Sequence, residues 1–337
     1  MFLDDMYDYT YEELMNLDDD YYLPVEEVNL PIHNPSDLKD GDIIITTMYY
    51  NDGTNRRKTR PSVVLEFPDK VLRVVRLSEV KSEEEGRSRE IIDDPLTYTL
   101  LDWNTESENL RHESYFLPWY YREIDRIDYH HTIGRLTVKD LDACKENLNK
   151  CIDLKDSNLK YLLGWLKGHD IKESRHISGN NNYNPIQSIR DIEISLKGNC
   201  VDFANIAHLT ADKEGLVNTI GRTMFWLSPN KSTGHVYCVY KQNRAYRIFR
   251  FIPGDNDHDS FGDIIHIKRF KAKTFIDACS TEEYWLSINH PEIKGLPSYE
   301  YIAKTRYLSK EDLKTWDKLA KTNMTQSEVL KKTFDKK

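Results

Sequence analysis

Cys200 and His235 have the residue types and the local settings that nucleophilic catalysis requires. The segment 198–204 is Gly-Asn-Cys-Val-Asp-Phe-Ala, and the apolar spacing that follows predicts a helix beginning at Cys200. Downstream, 234–237 is Gly-His-Val-Tyr, at the predicted start of a strand. A thiol attacks as its thiolate, which a helix N-terminus and a nearby imidazolium both favour. These residues therefore predict a cysteine nucleophile with a histidine base.

A second set of candidate residues lies in the first half of the chain and could meet a phosphate. The basic run 55–60 ends at Arg60. A guanidinium can stabilise the charge that builds on a phosphate in its transition state. Together with Arg57 and Lys58, Arg60 forms a candidate RNA- or phosphate-binding surface.

The first block of predicted elements is rich in strands and ends in a helix. Its predicted strands cover 42–50, 62–67 and 71–77, with shorter ones near 96–103 and 114–128. The helix begins after Thr137, and five residues at helical spacing form its apolar face: Val138, Leu141, Cys144, Leu148 and Cys151. Both cysteines of this helix are thus predicted core residues and not reactive thiols.

The second block combines helices with antiparallel strands. Helices are predicted near 156–168, over 186–196 and over 200–214, with Gly215 as C-cap of the last, and further helices near the C-terminus. Strands are predicted near 217–227, 235–241, 245–252 and 263–270. The short connections between the first three favour hairpins. Cys238 and Cys279 are predicted core residues on a strand and a helix.

Composition limits the class of protein. Charged residues make up 31% of the chain, and no apolar run approaches the roughly 20 residues that span a bilayer, so no membrane partner is expected. The cysteine and histidine content gives no sign of a disulfide framework or a metal site.

Five cysteines without CxxC spacing argue against a disulfide framework or a zinc site. The histidine pair 130–131 and the acidic run 255–259 also lack a spacing that is diagnostic of a metal site, so no metal and no cofactor are predicted. The expected location is cytoplasmic, in the host cytoplasm or a virion if the chain is phage-encoded.

The net charge of −9 is unevenly distributed. Residues 1–40 carry twelve Asp or Glu and one Lys, whereas 301–337 carries ten basic and five acidic residues. Nucleic acid is therefore a candidate partner but not the favoured one, because the chain has no overall basic excess. The acidic arm and the basic tail could pair with each other or bind a partner in a macromolecular assembly, or both could be solvated termini.

The segments 198–204 and 234–237, in this order and at this separation, resemble the two motifs of the transglutaminase-like branch of the papain-like cysteine peptidases. The resemblance covers about 186–255. It implies Cys200 as nucleophile, His235 as base and a protein or peptide substrate, with the Cys200 backbone N–H helping to bind the oxyanion. The third residue departs from the pattern, because no acid stands about fifteen residues after His235. Asp255 is the best candidate for that role.

The first block resembles the SH3-like barrel of the MazF/PemK toxin endoribonucleases across about 40–150, with an insertion near 84–115. The matching segments are 41–44, 59–65, 73–78 and 133–137. In that family the Arg of an Arg-Pro pair and a Ser or Thr ending the next strand carry RNA cleavage, which correspond to Arg60 and Ser78. The favoured interpretation is that the barrel serves as a binding module and does not cleave RNA.

The predicted fold class is α+β, an SH3-like barrel followed by a transglutaminase-like, papain-type domain. The predicted parts are an acidic arm (1–40), the barrel (41–152), the cysteine domain (153–310) and a basic helical tail (311–337). The favoured function is a thiol hydrolase or acyltransferase, such as a cysteine protease, with the barrel as recognition or docking module. The alternatives are a structural or interaction protein that reuses both folds with decayed sites and, less favoured, an RNA-cleaving toxin-like enzyme.

Overall fold

The computed structural model describes two antiparallel sheets with helices packed on them, which confirms the α+β class. The described residues are 31–49, 57–80, 93–169, 171–174, 185–228, 231–242, 245–252, 261–266, 274–275 and 302–335. Among them, no helix combines the length and apolarity that crossing a bilayer requires.

The first sheet has six strands within the described residues. They are β1 (Asp42–Tyr49), β2 (Arg57–Glu66), β3 (Leu72–Glu79), β4 (Tyr98–Thr99), β5 (Ser114–Glu123) and β6 (Asp128–Arg135), in the order β4-β5-β3-β2-β1-β6. The edge strands β4 and β6 do not pair with each other, so the described strands form no closed barrel. β6 was not predicted, because two histidines and a glycine interrupt its apolar alternation.

One face of the first sheet packs against helix α1 (Val138–Asp153). The helix begins where predicted, at the N-cap Thr137, whose hydroxyl accepts a hydrogen bond from the Asp140 N–H. Cys144 and Cys151 are buried core residues, as predicted. Val138 is 77% exposed, so its predicted place on the buried face is wrong. A residue at N1 lies before the first full turn, where the apolar spacing does not yet fix which way a side chain points.

In the described part of the chain, the second sheet has five strands, and two further strands form a short parallel pair. Its strands are β9 (Val217–Ser228), β10 (Lys231–Gln242), β11 (Ala245–Ile252), β12 (Phe261–His266) and β13 (Ile302–Tyr307), in the order β12-β11-β10-β9-β13. The parallel pair is β7 (Lys172–Glu173) with β8 (Lys197–Gly198). The predicted hairpins of β9, β10 and β11 are confirmed, and β13 was not predicted.

Among the described residues, five α-helices accompany the second sheet. They are α2 (Leu159–Gly168), α3 (Ile189–Ser195), α4 (Cys200–Lys213), α5 (Lys310–Ala320) and α6 (Gln326–Phe334). α4 begins at Cys200 as predicted, and Gly215 follows it with a φ of 77°, a conformation that favours glycine. Phe203 and Ala207 of α4 pack with Cys238 of β10, which is buried as predicted.

Helix α2 contacts both sheets. Leu162 and Leu166 belong to the same core cluster as Phe203, whereas Tyr161 packs with Trp119 of β5. Two glycines allow α2 to approach β5 closely. A Cβ on Gly164 would lie 2.5 Å from the Trp119 carbonyl oxygen, and one on Gly168 would lie 1.9 Å from the Tyr121 ring. The two sheets therefore share a helix whose small residues set their separation.

We expect Gly168→Ala to lower the free energy of unfolding by about 2–3 kcal/mol, because the added methyl meets a fully buried ring that cannot move aside. Denaturant unfolding monitored by tryptophan fluorescence measures this. The matched control is Gly215→Ala, where the new Cβ meets open space but φ is positive, so only about 1 kcal/mol of backbone strain is expected. Equal losses for the two variants would contradict the close approach of α2 to β5.

Candidate functional site

A reciprocal cap fixes the start of α4. The side-chain oxygen of the N-cap residue Asn199 accepts hydrogen bonds from the N–H groups of Val201 and Asp202, at 2.9 and 3.4 Å. The Asp202 carboxylate in turn accepts the Asn199 N–H at 2.9 Å. This capping box holds Cys200 as the first helical residue. The motif that predicted the nucleophile is thus also the motif that determines where the helix begins.

The surroundings of the Cys200 thiol shift its pKa in opposite directions. Cys200 is partly exposed, while Cys144, Cys151 and Cys238, the other cysteines of the described residues, are buried. Burial of the sulfur raises the pKa of the Cys200 thiol to about 11, and the Asp202 carboxylate adds to this rise. The backbone N–H groups of Val236 and of Cys200 itself hydrogen-bond the sulfur and act in the opposite direction. At neutral pH the resting thiol is therefore protonated.

The two sequence motifs meet at this thiol. Val236, whose N–H reaches Cys200, directly follows His235 on β10. The His235 ring is 9% exposed and stacks on the Tyr237 ring with centroids 5.6 Å apart. Because side chains alternate along a strand, His235 shares the face of Tyr237, whereas Val236 packs with Val201 of α4. The backbone N–H that follows His235 therefore hydrogen-bonds the Cys200 sulfur.

The candidate third residue, Asp255, lies outside the described residues. The strand that would orient the imidazole is β11, and Phe251 near its end packs edge-to-face on Phe203 of α4 at 4.7 Å. The side of β11 that carries Phe251 therefore packs in the apolar core beneath α4.

Helix α6 covers the start of α4, a contact that the sequence analysis did not anticipate. Gln326, only 1% exposed, donates a hydrogen bond to the Asp202 carboxylate at 2.7 Å and accepts one from the Asn199 amide at 2.9 Å. The Thr325-x-x-Glu328 capping box could have located the beginning of α6. No local pattern could have shown which residues Gln326 would bind.

A guanidinium also stands near the thiol. Arg222 of β9 pairs in register with Val236 on one side and with Arg306 on the other. Burial lowers the pKa of Arg222, while the neighbouring Asp335 carboxylate, 3.4 Å away, and the Cys200 thiolate favour its charged form. Thiolate formation at Cys200 would therefore be stabilised by a cation that the motif comparison did not reveal.

Arg60 and Ser78 lie on neighbouring strands of the first sheet. Strands β2 and β3 are antiparallel and their ladder ends at the pair Ser62 and Arg76, so Arg60 and Ser78 each lie two residues beyond that pair. Arg60 is half-buried and Ser78 is buried. Arg57 and Lys58 belong to β2, but their side chains lie outside the described part of the chain.

His130, part of the histidine pair, has a structural role. Its Nε2 lies 2.8 Å from the Thr47 hydroxyl and its Nδ1 lies 3.0 Å from the Pro31 carbonyl oxygen. Within the described ranges, no group of three or more His, Cys, Asp or Glu residues is placed to hold a metal ion.

Comparison of the sequence with protein-family models and with curated proteins finds no match. The interpretation of the site therefore depends on its geometry.

We expect Gln326→Ala to lower the free energy of unfolding by about 1–3 kcal/mol, because it leaves a buried amide and a buried carboxylate each without one hydrogen bond. Urea unfolding measures this. The control on the same helix is the exposed Lys331→Ala, which should change stability by less than about 0.5 kcal/mol. A Gln326→Ala variant as stable as the control would show that α6 does not depend on this network.

A buried histidine joins the middle of α4 to α5. His208 Nε2 lies 3.1 Å from the Asp317 carboxylate, and Nδ1 contacts the Asn218 side-chain oxygen. Burial alone would lower the pKa of His208, but the Asp317 and Asn218 hydrogen bonds outweigh it and raise the pKa above 6.5. The protonated imidazole is therefore the form that stabilises this contact.

We expect this contact to make stability depend on pH. A raised folded-state pKa contributes stability that is fully present below pH 6.5 and is lost as the pH rises through the folded value. His208→Gln should therefore cost more at pH 5.5 than at pH 8.5, as measured by urea unfolding at the two pH values. Asp317→Asn should reduce the same difference. A cost for His208→Gln that is equal at both pH values would exclude a charged His208.

Proposed function

We propose that the chain is a thiol-dependent hydrolase or acyltransferase built on a transglutaminase-like, papain-type domain. The observation that carries this proposal is the meeting of two distant segments: Cys200, at the start of α4, receives a hydrogen bond from the backbone N–H next to His235. A thiol at a helix start beside a histidine-bearing strand supplies the nucleophile and the base that acyl transfer to sulfur uses.

The raised thiol pKa determines which mechanism fits. Since Cys200 is protonated at rest, His235 would take its proton as the sulfur attacks the substrate carbonyl, and would not stabilise a standing thiolate. The Cys200 N–H at the helix start would bind the oxyanion of the tetrahedral intermediate. His235 then returns the proton to the departing amine, leaving a thioester that water or a second amine resolves. This chemistry requires the imidazole to come within hydrogen-bond reach of the sulfur.

A second candidate function, that of an interaction protein, applies if the His235 imidazole does not reach the sulfur. The stacking of His235 on Tyr237 and the raised pKa of Cys200 favour an interaction protein that reuses the fold with a decayed site. In that case Cys200 is a partly buried packing residue beside Val236.

The first half is proposed as a recognition or docking module related to the SH3-like barrel of the MazF/PemK family. Arg60 and Ser78 lie on the same face of the neighbouring strands β2 and β3, which supports a phosphate-facing surface there. RNA cleavage is the lesser proposal, because the chain has no overall basic excess. A protein or peptide substrate and a cytoplasmic location complete the proposal.

Alkylation of Cys200 by iodoacetamide between pH 6 and pH 10, followed by peptide mass spectrometry, separates the two functions. If His235 acts as base, the alkylation rate of wild type exceeds that of His235→Gln at least tenfold at pH 7.5. The peptides carrying the buried Cys144 and Cys238 are internal controls and should stay unmodified.

An interaction protein gives the opposite result. Wild type and His235→Gln then share a rate that rises about tenfold per pH unit towards pH 11, because only the thiolate fraction reacts. That outcome would remove the enzyme proposal.

A further inference from the structure

The side of β9 that faces α4 carries Arg222 close to the Cys200 thiol. Arg222 is opposite Val236 in the β9–β10 ladder, so the two side chains lie on the same side of the sheet. Val236 belongs to the core cluster against which Cys200 packs, and its N–H hydrogen-bonds the Cys200 sulfur. Arg222 is therefore one strand away from the residue that contacts the thiol, and its charge and the thiolate attract each other.

The end of α6 meets this guanidinium. The Asp335 carboxylate, which directly follows α6, lies 3.4 Å from Arg222 Nη1. The Phe334 ring also contacts the guanidinium, with its centroid 5.7 Å from Arg222 Cζ. Arg306 of β13 is opposite Arg222 and donates a hydrogen bond to the Phe334 carbonyl oxygen at 2.6 Å. Two guanidinium groups, an aromatic ring and a carboxylate thus meet on the strand next to the one that contacts Cys200.

The contact between Arg222 and Asp335 uses only part of the binding capacity of the guanidinium. A guanidinium can give one carboxylate two parallel hydrogen bonds of about 2.8 Å, whereas Asp335 approaches a single nitrogen at 3.4 Å. The Asp335 side chain is 51% exposed, and an ion pair with so exposed a partner is weak. The Arg222 side chain is only 17% exposed, so a carboxylate that reached it with two hydrogen bonds would bind more strongly than Asp335 does.

We propose that Arg222 forms a carboxylate subsite beside Cys200, that Asp335 occupies this subsite in the resting chain, and that the thiol selects acyl groups with an acidic side chain nearby. The ligand class is an Asp or Glu side chain of a peptide, because the group already held there is an Asp side chain. The substrate selectivity rests on the proposed thiol chemistry. The subsite itself does not, because it depends only on the position of the Arg222 charge.

The test compares two alkylating reagents that differ in charge. Iodoacetate carries a carboxylate and iodoacetamide does not, yet in both the thiolate sulfur bonds to the methylene carbon and iodide leaves with the electron pair of its bond. The ratio of the two rates at Cys200, divided by the same ratio for N-acetylcysteine, reports the charge around the sulfur and is independent of the thiolate fraction. Peptide mass spectrometry at pH 8.5 and 50 mM NaCl measures both rates.

We expect Arg222→Gln to lower this ratio at least threefold, because the anionic reagent loses the guanidinium. Asp335→Asn should raise the ratio at least threefold, because the subsite is then open. The charge-matched controls are Arg190→Gln on α3 and Glu311→Gln on α5, two exposed positions that should leave the ratio unchanged. Raising NaCl from 50 to 500 mM should reduce the difference between wild type and Arg222→Gln.

A second pair of reagents tests the ligand class. The chloroacetyl derivatives of glutamate methylamide and glutamine methylamide place an acidic or a neutral side chain beside the same electrophilic carbon. We expect the preference for the glutamate reagent to be at least threefold greater in Asp335→Asn than in wild type. The preference should be lost in Arg222→Gln and retained in Arg222→Lys, which keeps the charge.

Two variants keep the outcome interpretable. If Arg222→Gln fails to fold, Asp335→Asn answers the question with the sheet intact. His235→Gln should change the rates of iodoacetate and iodoacetamide by the same factor, so the loss of a catalytic base is distinguished from the loss of the subsite.

Equal rate ratios in wild type and Asp335→Asn, or in wild type and a folded Arg222→Gln, would overturn the proposal. Failure of Cys200 to react with either reagent up to pH 10 would overturn it as well, because no ligand could then reach the thiol from this side.

Discussion

The buried carboxylate of Asp202 is the contact on which the second half of the molecule depends. It accepts hydrogen bonds from the Asn199 N–H, the Gln187 N–H at 2.9 Å and the Gln326 amide, which belong to three separate segments. Burial raises the pKa of Asp202, while these donors act to lower it. A charge so enclosed is stable only if all of its donors stay in place. The start of α4, the approach to α3 and the beginning of α6 are therefore fixed relative to one another.

The same burial at the start of α4 determines the pKa of the Cys200 thiol. The thiol lies one residue from the cap and gains the helix-start N–H groups, but it also loses solvent and stands near a carboxylate. The N–H groups favour the thiolate, whereas the desolvation and the carboxylate favour the thiol, and the desolvation is the larger effect. Arg222 is the described cation best placed to offset it. The Cys200 thiol is thus protonated at neutral pH.

Features encoded by neighbouring residues could be predicted from the sequence, and features that depend on distant pairing could not. The beginnings of α1 and α4 follow from Thr137 and from the 198–204 segment, and the hairpins of β9 to β11 follow from their short connections. The side of β10 that carries His235 depends on register and packing, which a motif does not contain. β13 was missed because its strand character comes from pairing with β9, about 80 residues earlier. Gln326 contacts a helix that precedes it by more than 120 residues.

The two glycines of α2 have a consequence for the order in which the chain can fold. During synthesis β5 is complete well before α2 has been made, so Trp119 and Tyr121 lack their helix partner until residues 159–168 have emerged. These aromatic side chains are buried in the finished protein, and left uncovered they would form an adhesive apolar surface. The first half of the nascent chain therefore cannot bury these aromatic side chains until α2 has been synthesised. Translation that stalls between β5 and α2 would leave an aggregation-prone intermediate on the ribosome.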